Sequence, residues 1–556
     1  MAMSMAMLAR ALPLMSLVLG SQFPVTVEAS SGSGGGSAFA SRGQHQEDVF
    51  QSGCSALASQ ISDEIPNAQV NIAEFIEAGT NLTLDQDPSC YGGVPSQIVS
   101  AGMCRVALDV KTSNSSGIVL EAWLPQNYTG RFLSVGNGGL GGCIQYPDIE
   151  YGVSLGFATV GANNGHAGMS GKPFYKNPEV LEDFAYRSIH TGVVVGKQIT
   201  DMFYEESFDK SYYLGCSTGG RQGFKSAQQF PEDFDGIVAG APAISFNGLV
   251  AWSANFLPVM GAKDSDTYVT PELWAVVHEE ILRQCDGLDG AEDGVIEDPD
   301  MCHPTWDTLI CGPGQKTGCL TSVQANTVEQ VFSPFYGEDG ELIYPRMQPG
   351  SEITARESVY TGLPYQISTE WFQNVVYEDR TWDAYTFTRK DAEAALAANP
   401  YNIDTFEGDL SAFQKAGGKL LTYHGLQDDL ISSEISKLYY SHVAQTMELP
   451  PSELDAFYRF FPISGMDHCG FGPGAYAIGN GNYFGNPGPD PKDNVLMAAV
   501  QWVEEGIAPE TVRGTKFSDE NPTEVEFRRN HCRWPKRNVF TGPGNYTDEN
   551  SWECVI

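Results

Sequence analysis

Basic residues are scarce in this 556-residue chain: lysine and arginine total 32 against 70 acidic residues, a formal net charge of −38. A surface this acidic repels phosphate backbones and anionic lipid, which argues against nucleic acid or membranes as partners. No C-x-x-C pair occurs among the 12 cysteines, which argues against a zinc site. No internal repeat of fixed period is present, so solenoids and propellers are set aside. Beyond the N-terminus no apolar run is long enough to span a bilayer. What remains is globular in composition, 42% apolar and 18% charged.

The N-terminus reads as a signal peptide over residues 1–29. Arg10 precedes the apolar run Ala11–Gly20, and Val27 and Ala29 supply the small residues of a cleavage site. The glycine- and serine-rich stretch Ser30–Ser37 opens a segment, 30–53, expected to be flexible. Four N-x-[ST] glycosylation acceptors, at Asn81, Asn114, Asn127 and Asn545, join an even cysteine count in pointing to a secreted, extracellular protein.

From Cys54 to residue 243 apolar strand patterns alternate with helical ones. That rhythm predicts an α/β protein with a mostly parallel sheet and helices on both faces. Over 244–405 the rhythm is lost; four cysteines, acidic turns and many aromatics mark an insertion with few regular strands. Strand and helix patterns return over 406–556.

Within the first part, Gly215–Gly219 reads GCSTG. A serine nucleophile must stand on a tight strand-to-helix turn, and only small residues two before and two after it let the chain cross so closely. Ser217 sits between a predicted strand and a predicted helix, the context such a turn needs. In this arrangement an acid and then a histidine follow the serine in the chain. Asp428 ends the strand KLLTYHG, with Asp429 as the neighbour that competes for the role. His468 lies in a glycine-bounded loop before the last helix. His424 precedes the acid and breaks the order, so it reads as a packing or supporting residue. The oxyanion needs two backbone donors. Thr218 supplies one, and Gly138 or Gly139 of the loop GNGGLGG the other; each such donor is typically worth about 3–4 kcal/mol to the transition state.

Cys216 directly precedes the serine and Cys469 directly follows the histidine. Where serine and histidine touch, their chain neighbours are close enough for a disulfide, so a Cys216–Cys469 bridge is expected. A bridged sulfur has no thiolate to offer, which removes Cys216 as a rival nucleophile.

These stretches, GCSTGG, HGLQD and GMDHCG, resemble the Cys-Ser, Asp, His-Cys signature of the tannase/feruloyl esterase family. The likeness runs from Cys54 to the C-terminus and is nearest the secreted fungal B-type feruloyl esterases. It implies an α/β-hydrolase fold with a lid domain inserted over 244–405. It also implies the pairs Cys54–Cys104, Cys90–Cys143, Cys285–Cys302, Cys311–Cys319 and Cys532–Cys554. In the lid, the stretch Cys285–Cys302 packs acids and glycines between two cysteines. On residues alone a calcium loop and a solvated acidic loop both stand. The resemblance favours a structural Ca²⁺ held by Asp286, Asp289 and Asp293, with carbonyls of Ala291 and Val295. No organic cofactor is expected.

The function implied is a serine ester hydrolase releasing ferulic and related hydroxycinnamic acids from feruloylated arabinoxylan or pectin fragments, and from small phenolic esters. Two alternatives stay open: a tannase acting on galloyl esters, and a catalytically inactive α/β-hydrolase used for binding. Thr218 stands where tannases more often carry an acid, which tilts the choice toward ferulate. Lid aromatics such as Trp371, Phe372, Tyr377 and Tyr385 are candidates for a flat acyl pocket.

Overall fold

The computed structural model describes residues 36–90, 95–518, 521, 523–542 and 544–556. The expected signal peptide lies outside the described residues. Most of the segment read as flexible does not stay loose: helix α1 runs Gly36–Glu64. Its Cys54, Leu57 and Ile61, one face at helical spacing, are fully buried in the core.

Nine strands form the central sheet: β1 (Ala68–Ile76), β2 (Met103–Lys111), β3 (Gly117–Pro125), β4 (Arg131–Val135), β5 (Phe157–Ala162), β6 (Lys210–Cys216), β7 (Gly236–Gly240), β8 (Lys419–Gly425) and β9 (Tyr458–Ile463). They lie in the order β1-β2-β3-β5-β4-β6-β7-β8-β9. The pairs β1–β2, β2–β3 and β3–β5 are antiparallel. From β5 to β9 every pairing is parallel. Parallel strands are covered on both faces, which is why β4, β6 and β7 read as short continuous apolar runs.

Successive residues point to opposite faces and enter separate cores. Phe132, Tyr213, Ile237 and Leu420 join one cluster; Leu133, Tyr212, Val238 and Leu421 join the other. Helix α2 (Tyr146–Ser154) packs with the second cluster through Tyr151 and Val153. On the first face lie α3 (Ser188–Tyr204) through Val193 and α4 (Thr218–Gln229) through Phe224.

The chain leaves the sheet after β7 and returns at β8, its immediate neighbour, with Lys419 opposite Gly236. The residues between form the insertion. Its strands are only the short ribbon Phe335–Tyr336 with Leu342–Tyr344. Helix α5 (Phe246–Met260) and helix α6 (Pro271–Cys285) run through it. Trp252, Trp274 and Tyr360 are buried there, in the same apolar cluster as the first face of the sheet. The insertion is thus packed onto the sheet rather than tethered beside it. Beyond β9, α7 (Val495–Glu505) adds Val495 and Val500 to the second cluster.

Six disulfides are present: Cys54–Cys104, Cys90–Cys143, Cys216–Cys469, Cys285–Cys302, Cys311–Cys319 and Cys532–Cys554. No free cysteine remains among the described residues.

Candidate active site

Strand β6 ends at Cys216 and α4 begins at Thr218, so Ser217 alone makes the turn. Its backbone sits at φ 65°, ψ −123°, a left-handed conformation that a non-glycine residue holds only when its surroundings enforce it. Three hydrogen bonds do so. The Ser217 N–H donates to the Gly240 carbonyl at 3.0 Å, and the Ser217 carbonyl accepts from the N–H groups of Arg221 and Ala243, each at 3.0 Å. The flanking glycines are a steric requirement. A Cβ at Gly215 would stand 2.7 Å from the Tyr213 hydroxyl and 2.9 Å from Gly219; one at Gly219 would stand 3.1 Å from the Asn137 carbonyl.

The Cys216–Cys469 bridge, with Cα atoms 6.0 Å apart, joins the residue before Ser217 to the residue after His468. His468 presents Nδ1 to Oδ2 of Asp428 at 2.7 Å. Asp428 is fully buried and braced on every side. Its Oδ1 accepts the N–H groups of Leu430 and Ile431, both at 2.9 Å. His424 Nε2 lies 3.2 Å from Oδ2, while its Nδ1 meets the Ser436 hydroxyl at 2.7 Å. His424 therefore supports the acid.

The charges follow from this packing. Burial works to raise the Asp428 carboxyl, but His468 and His424 outweigh it and hold it well below the usual carboxylate range. Burial works to lower His468, and the Asp428 carboxylate outweighs that, so the imidazole is raised above its ordinary value. Asp429 points elsewhere. Its Oδ2 accepts the Ser358 hydroxyl of the insertion at 2.8 Å, and burial, then Asp428, raises it to about 6. Asp467, beside His468, is raised well above its ordinary value by burial and then by Asp429 and Asp428.

Thr218 is the first residue of α4, so its N–H has no acceptor within the helix. Its hydroxyl donates to the Gly139 carbonyl at 2.7 Å, pinning the glycine loop against the nucleophile turn. Gly139 takes φ +57°, and a Cβ at Gly138 would meet nothing within 4 Å, so Gly138 borders open space. An amide network that no spacing in the sequence announces holds this loop. Gln222 accepts the Asn137 N–H at 3.0 Å and donates to the side-chain oxygens of Asn137 (3.0 Å) and Asn164 (2.9 Å). Asn137 in turn donates to the carbonyls of Cys143 and Ala162.

Of the lid aromatics singled out, Trp371 and Phe372 are fully buried and belong to the core. Tyr377 and Tyr385 are exposed. In the acidic loop, the Asp286 carboxylate accepts the Gly294 N–H at 3.1 Å. Asp289 accepts the N–H groups of Ala291 (2.9 Å) and Glu297 (3.4 Å). Asp293 accepts the Val295 N–H and pairs with Arg529 at 2.9 Å. Burial, with Glu297 and Asp293 adding, raises Asp289 to about 7. Among the described residues no three Asp, Glu, His or Cys side chains converge as a metal site. Asn81, Asn114, Asn127 and Asn545 are all exposed. No helix among the described residues is long and apolar enough to cross a membrane.

The chain is similar to known proteins over almost all of its length. A probable feruloyl esterase B-2 from Aspergillus terreus (strain NIH 2624 / FGSC A1156) is 62% identical over 514 residues, 92% of this chain and 96% of its own. The crystal structure of an esterase from Aspergillus oryzae superposes with a TM-score of 0.89 at 61% identity, covering 91% of this chain and 100% of that one. That of feruloyl esterase B from Aspergillus oryzae gives 0.88 at 55% identity, with the same coverage of both chains. The family model for tannase and feruloyl esterase matches residues 104–555, and the chain belongs to the tannase and feruloyl esterase family.

Proposed function

We propose that this carboxylic ester hydrolase is a secreted serine esterase that releases ferulic and related hydroxycinnamic acids from plant cell-wall polysaccharide through an acyl-enzyme. The observation that carries the mechanism is the constellation around one disulfide. Ser217 stands on a strained turn bridged by Cys216–Cys469 to His468, whose Nδ1 is 2.7 Å from Asp428. The feruloyl esterase names of the similar proteins support the substrate class.

In the first step His468 removes the Ser217 proton as the oxygen attacks the ester carbonyl. Asp428 fixes the imidazole tautomer and stabilises the imidazolium. The Thr218 N–H and a glycine N–H of the Gly138–Gly139 loop receive the negative charge that develops on the carbonyl oxygen. His468 then returns its proton to the leaving alcohol, and water repeats the sequence on the acyl-enzyme. A paired assay on methyl ferulate and methyl gallate tests the substrate class. Preference for ferulate is expected; a strong preference for gallate overturns it.

The acidic loop suits a hard cation in its chemistry, although its carboxylates do not converge as they stand and would have to turn inward to bind one. Asp289 is buried at 8% exposure with only backbone partners, beside Glu297 and Asp293, and Arg529 answers just the last two. Asp286, Asp289 and Asp293, with the carbonyls of Ala291 and Val295, would hold a structural Ca²⁺ there. The ion would add no catalytic step; it would neutralise the loop and tie the two ends of the Cys285–Cys302 segment together.

A further inference from the structure

In two-step acyl transfer the base that takes the serine proton returns it to the departing oxygen. The alcohol half of the ester therefore leaves on the His468 side, while the carbonyl oxygen turns toward the glycine loop. On that glycine side, Met169 and Ile367 approach within 4 Å of where a Gly139 Cβ would stand. Both are apolar.

The His468 side is different in character. Three residues on, Phe471 is 41% exposed, and Tyr483 beside it is 54% exposed. Their rings lie 5.5 Å apart, edge to face. Phe484 backs both, at 5.5 and 5.4 Å. Phe471 holds φ +63°, a conformation costly for a bulky residue. Asn480 Nδ2 donates to the Cys469 carbonyl at 2.6 Å, fastening this aromatic segment to the histidine loop.

Asp148, in the first turn of α2, meets the same segment. A Cβ at Gly481 would stand 3.0 Å from its Oδ1 and 3.7 Å from Phe484. Its half-buried carboxylate has no hydrogen-bond or ion-pair partner among the described residues. Burial raises it to about 7, and its charge is felt by Tyr213 and Tyr423, on the strands that deliver Ser217 and Asp428. An acceptor without a protein donor, on the segment whose Phe484 backs two outward-facing rings, matches a sugar: hydroxyls donate to the carboxylate while a C–H face packs on the aromatics.

We propose that Phe471, Tyr483 and Asp148 form the subsite for the sugar that carries the ester. This rests on the reading of the enzyme as an esterase of feruloylated polysaccharide. The test compares kcat/KM on a feruloylated arabinoxylan oligosaccharide with kcat/KM on methyl ferulate, which has no sugar. In Tyr483→Ala and Asp148→Asn the ratio of the two should fall, about tenfold for the lost ring, with the change in KM. Tyr483→Trp should restore it. Tyr483 is exposed, so its replacement leaves the core intact, and melting temperature checks folding. An active wild type whose ratio is unmoved in both variants overturns the subsite alone. An equal loss on both substrates also overturns it, by assigning these residues to the phenolic ring. A wild type inactive on both ferulates overturns the functional reading, and the subsite with it.

Discussion

Cys216 and Cys469, 253 residues apart in the chain, are joined by a disulfide that links the turn of Ser217 to the loop of His468. Closing so long a loop constrains the unfolded chain, and such bridges typically contribute about 2–4 kcal/mol. Here the bond also fixes the relative placement of nucleophile and base. The double variant Cys216→Ala/Cys469→Ala is expected to lower both the melting temperature and kcat. Undiminished turnover in a folded double variant contradicts a positioning role for the bridge.

His468 acts as a base only when neutral. Burial pulls its pKa down, but Asp428 outweighs burial and raises it. The acid limb of kcat/KM against pH should therefore lie above ~6.5, the ordinary histidine value. Asp428→Asn should move that limb to lower pH while kcat falls roughly 10⁴-fold. A limb that stays in place shows that Asp428 does not set the charge of His468.

Gln222 holds the glycine loop through Asn137 without touching the candidate nucleophile. Gln222→Ala leaves the buried Asn137 N–H and the Asn137 side-chain oxygen unsatisfied, while Asn164 keeps the Ser188 hydroxyl as donor, at a cost of about 1–3 kcal/mol for each buried group left unpaired. Misplacing the oxyanion donors should reduce kcat by roughly 10- to 100-fold with less change in KM. Steady-state kinetics on methyl ferulate read the split; a rise in KM alone contradicts it.

Calcium is tested by elemental analysis of the purified protein, expected to find one ion per chain. Chelation should lower the melting temperature, and Asp289→Ala should remove the ion. No bound calcium in the native protein contradicts the assignment.

The part of this design written locally in the chain was readable in advance. The turn at Ser217 announces itself because glycines two before and two after it are required by contacts to Tyr213 and Asn137. The Cys216–Cys469 pair follows from adjacency to serine and histidine; the other five pairs are implied only by the family resemblance. What the sequence concealed depends on side chains brought together from afar. Gln222 meets Asn137 across 85 residues, and Asp429 meets Ser358 across 71. Neither pairing leaves a periodic mark. Helix α1 is concealed for a related reason. Its start is rich in glycine and serine, and the burial of Cys54, Leu57 and Ile61 against the sheet overrides that composition. The antiparallel edge β1–β3 was likewise hidden, since strand patterns do not state direction.

The central claim is that Ser217 is the nucleophile of an esterase. Its most direct test is the turnover of methyl ferulate by Ser217→Ala beside the wild type, with circular dichroism to check folding. The account predicts a folded variant whose kcat falls roughly 10⁶-fold. A folded Ser217→Ala enzyme that retains wild-type turnover contradicts it.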